Sequence, residues 1–507
     1  MQGESEAIEI NSSTLKRIKK LLKGKGPSID ALLLAIVRAI TLVVGLVCTK
    51  IVSVEFSLES YGLYSQALLI INTACSISIM GMSSAVNYFF NNKKNHAANS
   101  PEEYMATIFG MQTGVGFIFG IVILIGAPFL TDYFKNPALW GVYGWIAFQP
   151  LLQNLIAMLQ VLYISVGRAR MMVFLNLLLS VIKLAIFAGA AYITKNIITI
   201  LALTLLSDLV QILYFRLDLY RHNVTLNPRH FRKGLCRPIL KYAIPIAAFV
   251  LVNSLMRDVD KWVVGYFANT DALAIYTNCS RLLPFDMLTS SFCIVLIPIV
   301  TRYLSTDLTK AAKVYGDYLN LGLITTTILV LPAIFLSRDL LLCLFDSKYL
   351  PGLSIFIIYL GVDFINFANV SLLFNASGKT RELLNIVLIT LALNVLLSVM
   401  LFNVMGLSGP ALASLLCMFL SYIMYIKEGS IILQQSILKL FDVKRWFVII
   451  TECCIVGGIA YVVSNLYLYE VNAVVRFLSL YIIVIGLLAL TNWKLLLKLM
   501  RSINQAS

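Results

Sequence analysis

The chain has 507 residues, 59% of them hydrophobic and only 13% charged, with a mean hydropathy of +0.86 and a formal net charge of +15. Soluble domains carry about 25% charged and roughly 45–50% apolar residues, so an ordinary soluble protein is excluded and lipid is the main solvent. Basic residues gather in short gaps between apolar runs, as they do beside an anionic leaflet, which accounts for the charge without a nucleic acid.

Residues 1–29 lack the short apolar stretch and small-residue cleavage site of a signal peptide, and are expected to form a basic cytoplasmic tail. Leu15, Ile18 and Leu22 share a helical face beside Lys16, Arg17, Lys19, Lys20, Lys23 and Lys25. That pattern suits a short helix on the inner leaflet and equally a disordered basic topology signal. Beyond it, a span needs about 20 mostly apolar residues. Fourteen runs meet that length, near 30–53, 61–88, 104–130, 138–164, 171–193, 196–219, 239–267, 272–300, 315–337, 352–376, 382–403, 409–427, 446–466 and 471–493. With the N-terminus inside, 29 of the 40 Lys and Arg fall in or beside the gaps of one side. Six fall on the other side: Lys50, Lys135, Lys195, Arg338, Lys348 and Arg476. The positive-inside rule then places both termini in the cytoplasm.

The remaining five basic residues lie within spans. A charge at mid-bilayer costs about 2.5–3.5 kcal/mol on insertion scales, so each needs a partner or a water-filled cavity. Arg38 lies too deep in span one to reach the surface, and reads either as half of a structural ion pair or as a guanidinium whose planar fork suits a phosphate. Lys183, Asp208 and Asp363 fall near the middles of spans five, six and ten. They read as structural pairs, Lys183 with Asp208 among them, or as carboxylates that exchange H+ or Na+. Span seven holds Asn253, Arg257, Asp258, Asp260 and Lys261, with Arg257 and Lys261 one turn apart on a shared face. Arg281 falls at a similar depth in span eight. These groups form either a self-neutralising network or an anion-binding face. Polar residues such as Gln149, Gln153, Asn154, Asn253 and Asn278 are candidates for contact with sugar hydroxyls.

Two landmarks repeat. Tyr64, within Tyr61-Gly62-Leu63-Tyr64, and Tyr276, within Ala274-Ile275-Tyr276, are 212 residues apart, and the glycines of Gly167-Arg168-Ala169-Arg170 and Gly378-Lys379-Thr380-Arg381 are 211 apart. The shared offset argues that spans one to six and seven to twelve are duplicates. An even number of spans per copy makes this a parallel repeat about an axis along the membrane normal. The expected organisation is a tail over 1–29, an N-lobe over 30–219, a cytoplasmic linker over 220–238, a C-lobe over 239–428, and two appended spans with the C-terminus over 429–507. The fold class is thus an all-α polytopic membrane protein of about 14 transmembrane helices, with two six-helix lobes around a central cavity and two C-terminal helices.

Nothing points to an enzyme. The histidines, His96, His222 and His230, fall in polar gaps, no Gly-rich phosphate loop or metal-ligand spacing stands out, and the nine cysteines sit mostly in apolar runs, where a thiol behaves as a small hydrophobe. No catalytic residue, metal ligand or bound cofactor is expected.

At this point the sequence resembles the polysaccharide transporter, or O-antigen flippase, branch of the multidrug/oligosaccharidyl-lipid/polysaccharide exporter superfamily. The resemblance spans residues 28–495. It is carried by Tyr61-Gly62-Leu63-Tyr64, Lys241-Tyr242-Ala243-Ile244-Pro245, Asp260-Lys261 leading to Ala274-Ile275-Tyr276, Asn375-Ala376-Ser377-Gly378-Lys379-Thr380 and Gly406-Leu407-Ser408-Gly409-Pro410-Ala411. It implies a flippase that moves an undecaprenyl-diphosphate-linked oligosaccharide, an O-antigen, capsule or exopolysaccharide repeat unit, across the bacterial inner membrane by alternating access. Ion coupling, to H+ or Na+, would drive it. Arg38, Arg257, Lys261, Arg281 and Asn253 are the expected substrate contacts. The lipid-linked oligosaccharide, membrane lipids and polysaccharide polymerase machinery are the expected partners. A peptidoglycan lipid-precursor flippase, or a cation-coupled multidrug exporter on the same fold, are the alternatives.

Overall fold

The computed structural model describes residues 27–91, 100–222, 224, 226–468 and 470–506. The basic face expected at residues 15–25 lies outside the described residues. Every regular element among the described residues is helical. In chain order the main helices are α1 (Pro27–Glu55), α2 (Leu58–Ser78), α3 (Met82–Asn91), α4 (Pro101–Ile125), α5 (Ala127–Phe134), α6 (Gln149–Ser165), α7 (Ala169–Gly189), α8 (Ile197–Arg221), α9 (Lys233–Phe267) and α10 (Thr270–Cys279). They continue as α11 (Met287–Thr306), α12 (Leu308–Phe335), α13 (Ser337–Leu344), α14 (Leu353–Ile365), α15 (Ser371–Ser377), α16 (Thr380–Met405), α17 (Ser408–Leu433), α18 (Val443–Leu466), α19 (Ala473–Thr491) and α20 (Trp493–Ala506).

Twelve stretches among the described residues are helical, long and apolar enough to cross a bilayer. The other two of the fourteen expected runs have different fates. Run one forms the 29-residue α1. Run eight is not one helix: α10 ends at Cys279, α11 starts at Met287, and Pro284 lies in the gap. A proline there has no N–H to continue a helix. The Leu283 N–H instead donates to the Asp363 carboxylate at 3.0 Å, so a buried acid from α14 satisfies the broken backbone that lipid could not.

Turn chemistry repeats with the sequence. Ser57 and Asn269, 212 residues apart, each cap a helix by accepting the N–H of the third residue onward. Asn136 and Asp346, 210 apart, each cap a short 3-10 turn. Gly167 and Gly378 both take left-handed φ, +81° and +74°, which a side chain would strain. Lys195 and Gly406, 211 apart, both have positive φ, +49° and +59°, although their ψ angles differ. The duplication therefore extends from the Tyr and Gly landmarks to the ends of several helices.

The described residues divide into two compact units, each taken by itself. The first comprises α1, Gly81–Gly120 and Phe148–Ile244. Here α1 packs on α7, with Thr41 Oγ1 and Ser180 Oγ at 3.1 Å, and α6 is flanked by α3 and α8. At the end where basic loops gather, Asp218 of α8 accepts from Tyr163 and from Arg168 of the Gly167 turn. Arg232 pairs with Glu103 at 2.8 Å.

The second unit comprises Phe56–Met80, Ile121–Ala147 and the chain from Pro245 onward. Its α18, α19 and α20 pack on α12 and α13. Trp446 Nε1 donates to Thr327 Oγ1 at 3.1 Å, and Tyr481 OH donates to the Leu329 carbonyl at 2.9 Å. The neighbours Cys453 and Cys454 are respectively buried and exposed, as a helical offset of one residue requires. At the opposite end of α12, the Asp307 cap accepts the Lys310 and Thr309 N–H groups at 3.1 Å, which hold its carboxyl below the usual carboxylate range. The appended spans are locked by charge. Arg476 of α19 pairs bidentately with buried Asp339 of α13, which also accepts from Ser464 of α18 at 2.5 Å. Removing one partner of a buried pair leaves the other uncompensated, at about 3–5 kcal/mol. Arg476→Ala is therefore expected to lower the thermal unfolding midpoint of the purified protein, and an unchanged midpoint would show that the pair does not hold these helices.

Candidate functional site

The second unit contains the part of α9, a helix of 35 residues, from Pro245 onward. At 1.5 Å per residue, Arg257 lies about 15 Å from its C-terminal end, well within the bilayer. Around it, span-seven charges sort into satisfied and unsatisfied groups. Asp260 is 1% exposed and accepts from Tyr276 OH at 2.7 Å, from Tyr359 OH, and from the Lys261 N–H at 2.8 Å. It ties α9 to α10 and α14. Lys261 Nζ reaches Asp258 at 3.1 Å, Asp260 at 3.7 Å and the Arg257 carbonyl at 2.7 Å. Two carboxylates thus meet one ammonium. Arg257 is exposed, and among the described residues its guanidinium enters no ion pair. A guanidinium held exposed at this depth requires water or an anion.

Other predicted residues sit differently. Asn253 spends an amide hydrogen on its own helix, at the Phe249 carbonyl 2.8 Å away. Arg281 is exposed and lies in the break after α10, not within a continuous span eight. Asp363 is the backbone acceptor for that break. Asn278, expected to meet sugar, is buried and accepts from Tyr61 OH at 2.6 Å.

That last bond belongs to a seal the sequence reading missed. At the end away from the basic loops, the segments Phe56–Met80 and Ile121–Ala147 close against α9, α10 and the turn at Lys348. Gln66 Nε2 donates to Thr270 Oγ1 at 3.5 Å, and Gln66 Oε1 accepts from Asn136 Nδ2 at 2.7 Å. Lys348 Nζ donates to the Phe56 carbonyl at 2.6 Å, Tyr133 OH to the Trp262 carbonyl at 2.9 Å, and Trp262 Nε1 to Thr73 at 3.0 Å. Ser76 and Ser254 share a hydrogen at 2.5 Å. Tyr61 also stacks edge-on against Tyr349 with ring centroids 5.9 Å apart. Gly62 makes the approach of α2 to α10 feasible: a Cβ there would lie 2.5 Å from Thr270 Cγ2 and closer still to its carbonyl oxygen. The available signal was the Tyr61-Gly62 landmark: Tyr61 bonds Asn278, 217 positions on, and Gln66 nearby bonds Thr270, 204 on, near one repeat length, because α2 and α10 are copies of one another.

In the first unit, the Arg38 side chain lies outside the described residues, so only its place on α1 is known. Asp208 of α8 accepts from Gln149 Nε2 at 2.6 Å. The expected Lys183–Asp208 ion pair does not form among the described residues. Lys183 instead lies over the Phe187 ring at 5.8 Å, one helical turn along its own helix, and Gln149, a candidate sugar contact, is the partner of Asp208. Aromatic and amide groups also collect near the basic end. Tyr88 stacks on Tyr242 at 4.3 Å, beside the Asn87, Asn91 and Ser165 cluster. No cluster of His, Cys, Asp or Glu among the described residues has the arrangement of a metal site.

A family model described as polysaccharide biosynthesis protein matches residues 56–354. The chain belongs to that family. The match covers α2 through the start of α14, and so includes the span-seven charges, the seal and the linker over 220–238. No curated protein matches the sequence. Among solved structures, the lipid II flippase MurJ in an inward closed conformation is similar, with a TM-score of 0.69 at 15% identity over 92% of this chain and 99% of that one. An inward-facing multidrug resistance MATE family transporter of the MOP superfamily gives 0.63 at 15% identity over 79% and 98%. An outward-facing MATE transporter gives 0.54 at 15% over 82% and 97%. This family member is therefore a multi-pass membrane protein, and its fold is the one seen in the MurJ flippase and the MATE transporter structures.

Proposed function

We propose that this protein flips a lipid-diphosphate-linked oligosaccharide from the cytoplasmic to the outer leaflet of the bacterial inner membrane. The observation that carries this reading is the match of 56–354 to a polysaccharide biosynthesis family on a flippase and exporter fold. Both termini face the cytoplasm, as the basic loops require. The seal then lies on the outer side, where it bars the outer leaflet while the headgroup enters from within. Arg257 holds the diphosphate, with its planar fork matched to phosphate oxygens. Arg281, in the break after α10, extends that path within the second unit, and Arg38, on α1 of the first unit, is a further anion contact of this reading. Lys261, already met by two carboxylates, and Asn253, bonded within its own helix, support it less directly. Within the first unit, Tyr88, Asn87 and Asn91 offer a stacked ring and amides of the kind that suit hydroxyl-bearing rings.

Breaking the seal while closing the cytoplasmic side completes alternating access. Asp208 is the coupling candidate for H+ or Na+, since its hydrogen-bond partner Gln149 is a neutral amide and no direct ion pair holds the carboxylate among the described residues. Asp208→Asn is expected to make transport insensitive to an imposed ion gradient, and retained gradient dependence would assign coupling elsewhere. Polysaccharide polymerase machinery would receive the product at the outer face.

In cells, depletion of the protein should leave the lipid-linked oligosaccharide in the cytoplasmic leaflet, protected from a glycosidase added to spheroplasts. Full susceptibility after depletion would contradict the reading.

A further inference from the structure

The first unit carries a groove along the surface of two of its own helices. Between α7 and α8 lies a space of about 480 Å³, lined by Phe174, Leu178 and Ile182 on one side and Leu206, Val210 and Tyr214 on the other. It runs from Phe174 to Ile186 along α7 and back from Phe215 to Leu203 along α8, about 18 Å at 1.5 Å per residue. Both helices are long and apolar enough to span the bilayer. They touch each other little, because α8 packs chiefly on α6 and α7 on α1. Leu206, Val210 and Phe174 are 55–58% exposed.

The groove is asymmetric in charge. One turn beyond Phe174 is Arg170, and directly after Phe215 is Arg216, both exposed. Asp218, two residues beyond Arg216, is engaged by Arg168 and Tyr163. Beyond Ile186 the next charged residue of the chain is Lys195, and the charges within the groove's length, Lys183 and Asp208, do not line it. An apolar slot at hydrocarbon depth with guanidinium groups at one mouth matches a long hydrocarbon chain that ends in phosphate. Gln211 sharpens the choice of chain. It lines the groove, and its Nε2 is buried without a hydrogen-bond partner. A saturated acyl tail gives that donor nothing. The double bonds of an isoprenoid chain present π-electrons, a weak acceptor of N–H.

We propose that the α7–α8 groove binds the isoprenoid chain of a polyprenyl diphosphate, with Arg170 and Arg216 at its diphosphate. This rests on the lipid-diphosphate reading above and adds where the tail resides while the headgroup moves. The branched chain lies against Leu178, Leu206 and Val210, and the lipid stays in the bilayer without crossing the protein interior.

The test uses the full-length protein in nanodiscs of phosphatidylethanolamine and phosphatidylglycerol, with a polyprenyl diphosphate carrying a diazirine in its chain. Crosslinked peptides are mapped by mass spectrometry. Labelling is expected within 169–221, competed by unlabelled polyprenyl diphosphate but not by added phosphatidylglycerol. In Ser207→Trp, which fills the groove, and in Leu206→Trp as a second filling variant, labelling should fall about tenfold, equivalent to about 1.4 kcal/mol. Labelling confined to other helices, or competed equally by phosphatidylglycerol, overturns the proposal. Headgroup translocation by the unsubstituted protein, measured alongside, separates the two readings. Translocation without groove labelling removes the groove alone, whereas groove labelling without translocation leaves the lipid site standing and removes the flippase.

Discussion

Arg257→Ala is expected to reduce headgroup translocation by roughly 10- to 150-fold, the range that corresponds to a charge-assisted hydrogen bond of about 1.5–3 kcal/mol. The side chain is exposed within α9 and lies outside the ion pairs of Lys261. Its removal therefore should leave folding and membrane incorporation unchanged. Arg257→Lys should recover part of the rate, because it restores the charge without the bidentate fork. Lys261→Ala should behave differently. It leaves Asp258 without its 3.1 Å partner beside buried Asp260, so loss of folded protein should accompany loss of transport. Initial rates at equal incorporation, with folded yield measured in parallel, distinguish the two. A wild-type rate in Arg257→Ala would remove this residue from the substrate path.

Gly62→Leu is expected to hold the seal at Tyr61 and Gln66 open. The side chain would enter space occupied by Thr270, and overpacking of this kind costs about 1–3 kcal/mol. That cost falls on the sealed state alone and multiplies the open population roughly 5- to 150-fold. The leverage is large because the seal is modest. Six hydrogen bonds join Phe56, Tyr61, Gln66, Thr73, Ser76 and Tyr133 to their partners in the chain beyond Pro245. At about 1 kcal/mol net apiece they approach the roughly 5.5 kcal/mol that separates a 1:99 from a 99:1 equilibrium. Such a closure is firm yet reversible by a ligand. Gln66 is 1% exposed, so Gln66→Cys supplies a reporter. Its labelling by a membrane-impermeant maleimide from the outer side should be slow alone and fast when Gly62→Leu is added. Equal rates would show that Gly62 does not control the closure.

The sequence made the membrane class, the apolar runs and the duplication legible because each is written in local composition or in a fixed offset. Ser57 with Asn269, and Gly167 with Gly378, show how far that offset reaches: the same caps and left-handed turns recur 211 or 212 residues on. Partner choice was not legible. Asp260 finds Tyr276 and Tyr359, 16 and 99 residues away, and nothing in the local pattern of either tyrosine announces an acid. Asp208 takes a neutral amide from Gln149 rather than Lys183, since which faces of α6, α7 and α8 meet depends on packing angles. Run eight met the length rule for one span, yet Pro284 breaks it, because a buried acceptor on α14 satisfies the freed backbone. The seal was half legible. Tyr61-Gly62 stood out as a repeat landmark, but only the fold shows that α2 meets its own copy, α10.

The most direct test of the account is translocation in proteoliposomes of a diphosphate-linked lipid oligosaccharide, read as the fraction of headgroup open to an impermeant glycosidase. The account predicts protein-dependent conversion of the protected half to the accessible pool, strongly slowed in Arg257→Ala, and no uptake of a cationic dye by the same vesicles. Dye transport with the oligosaccharide left in place would contradict it and identify a cation exporter instead.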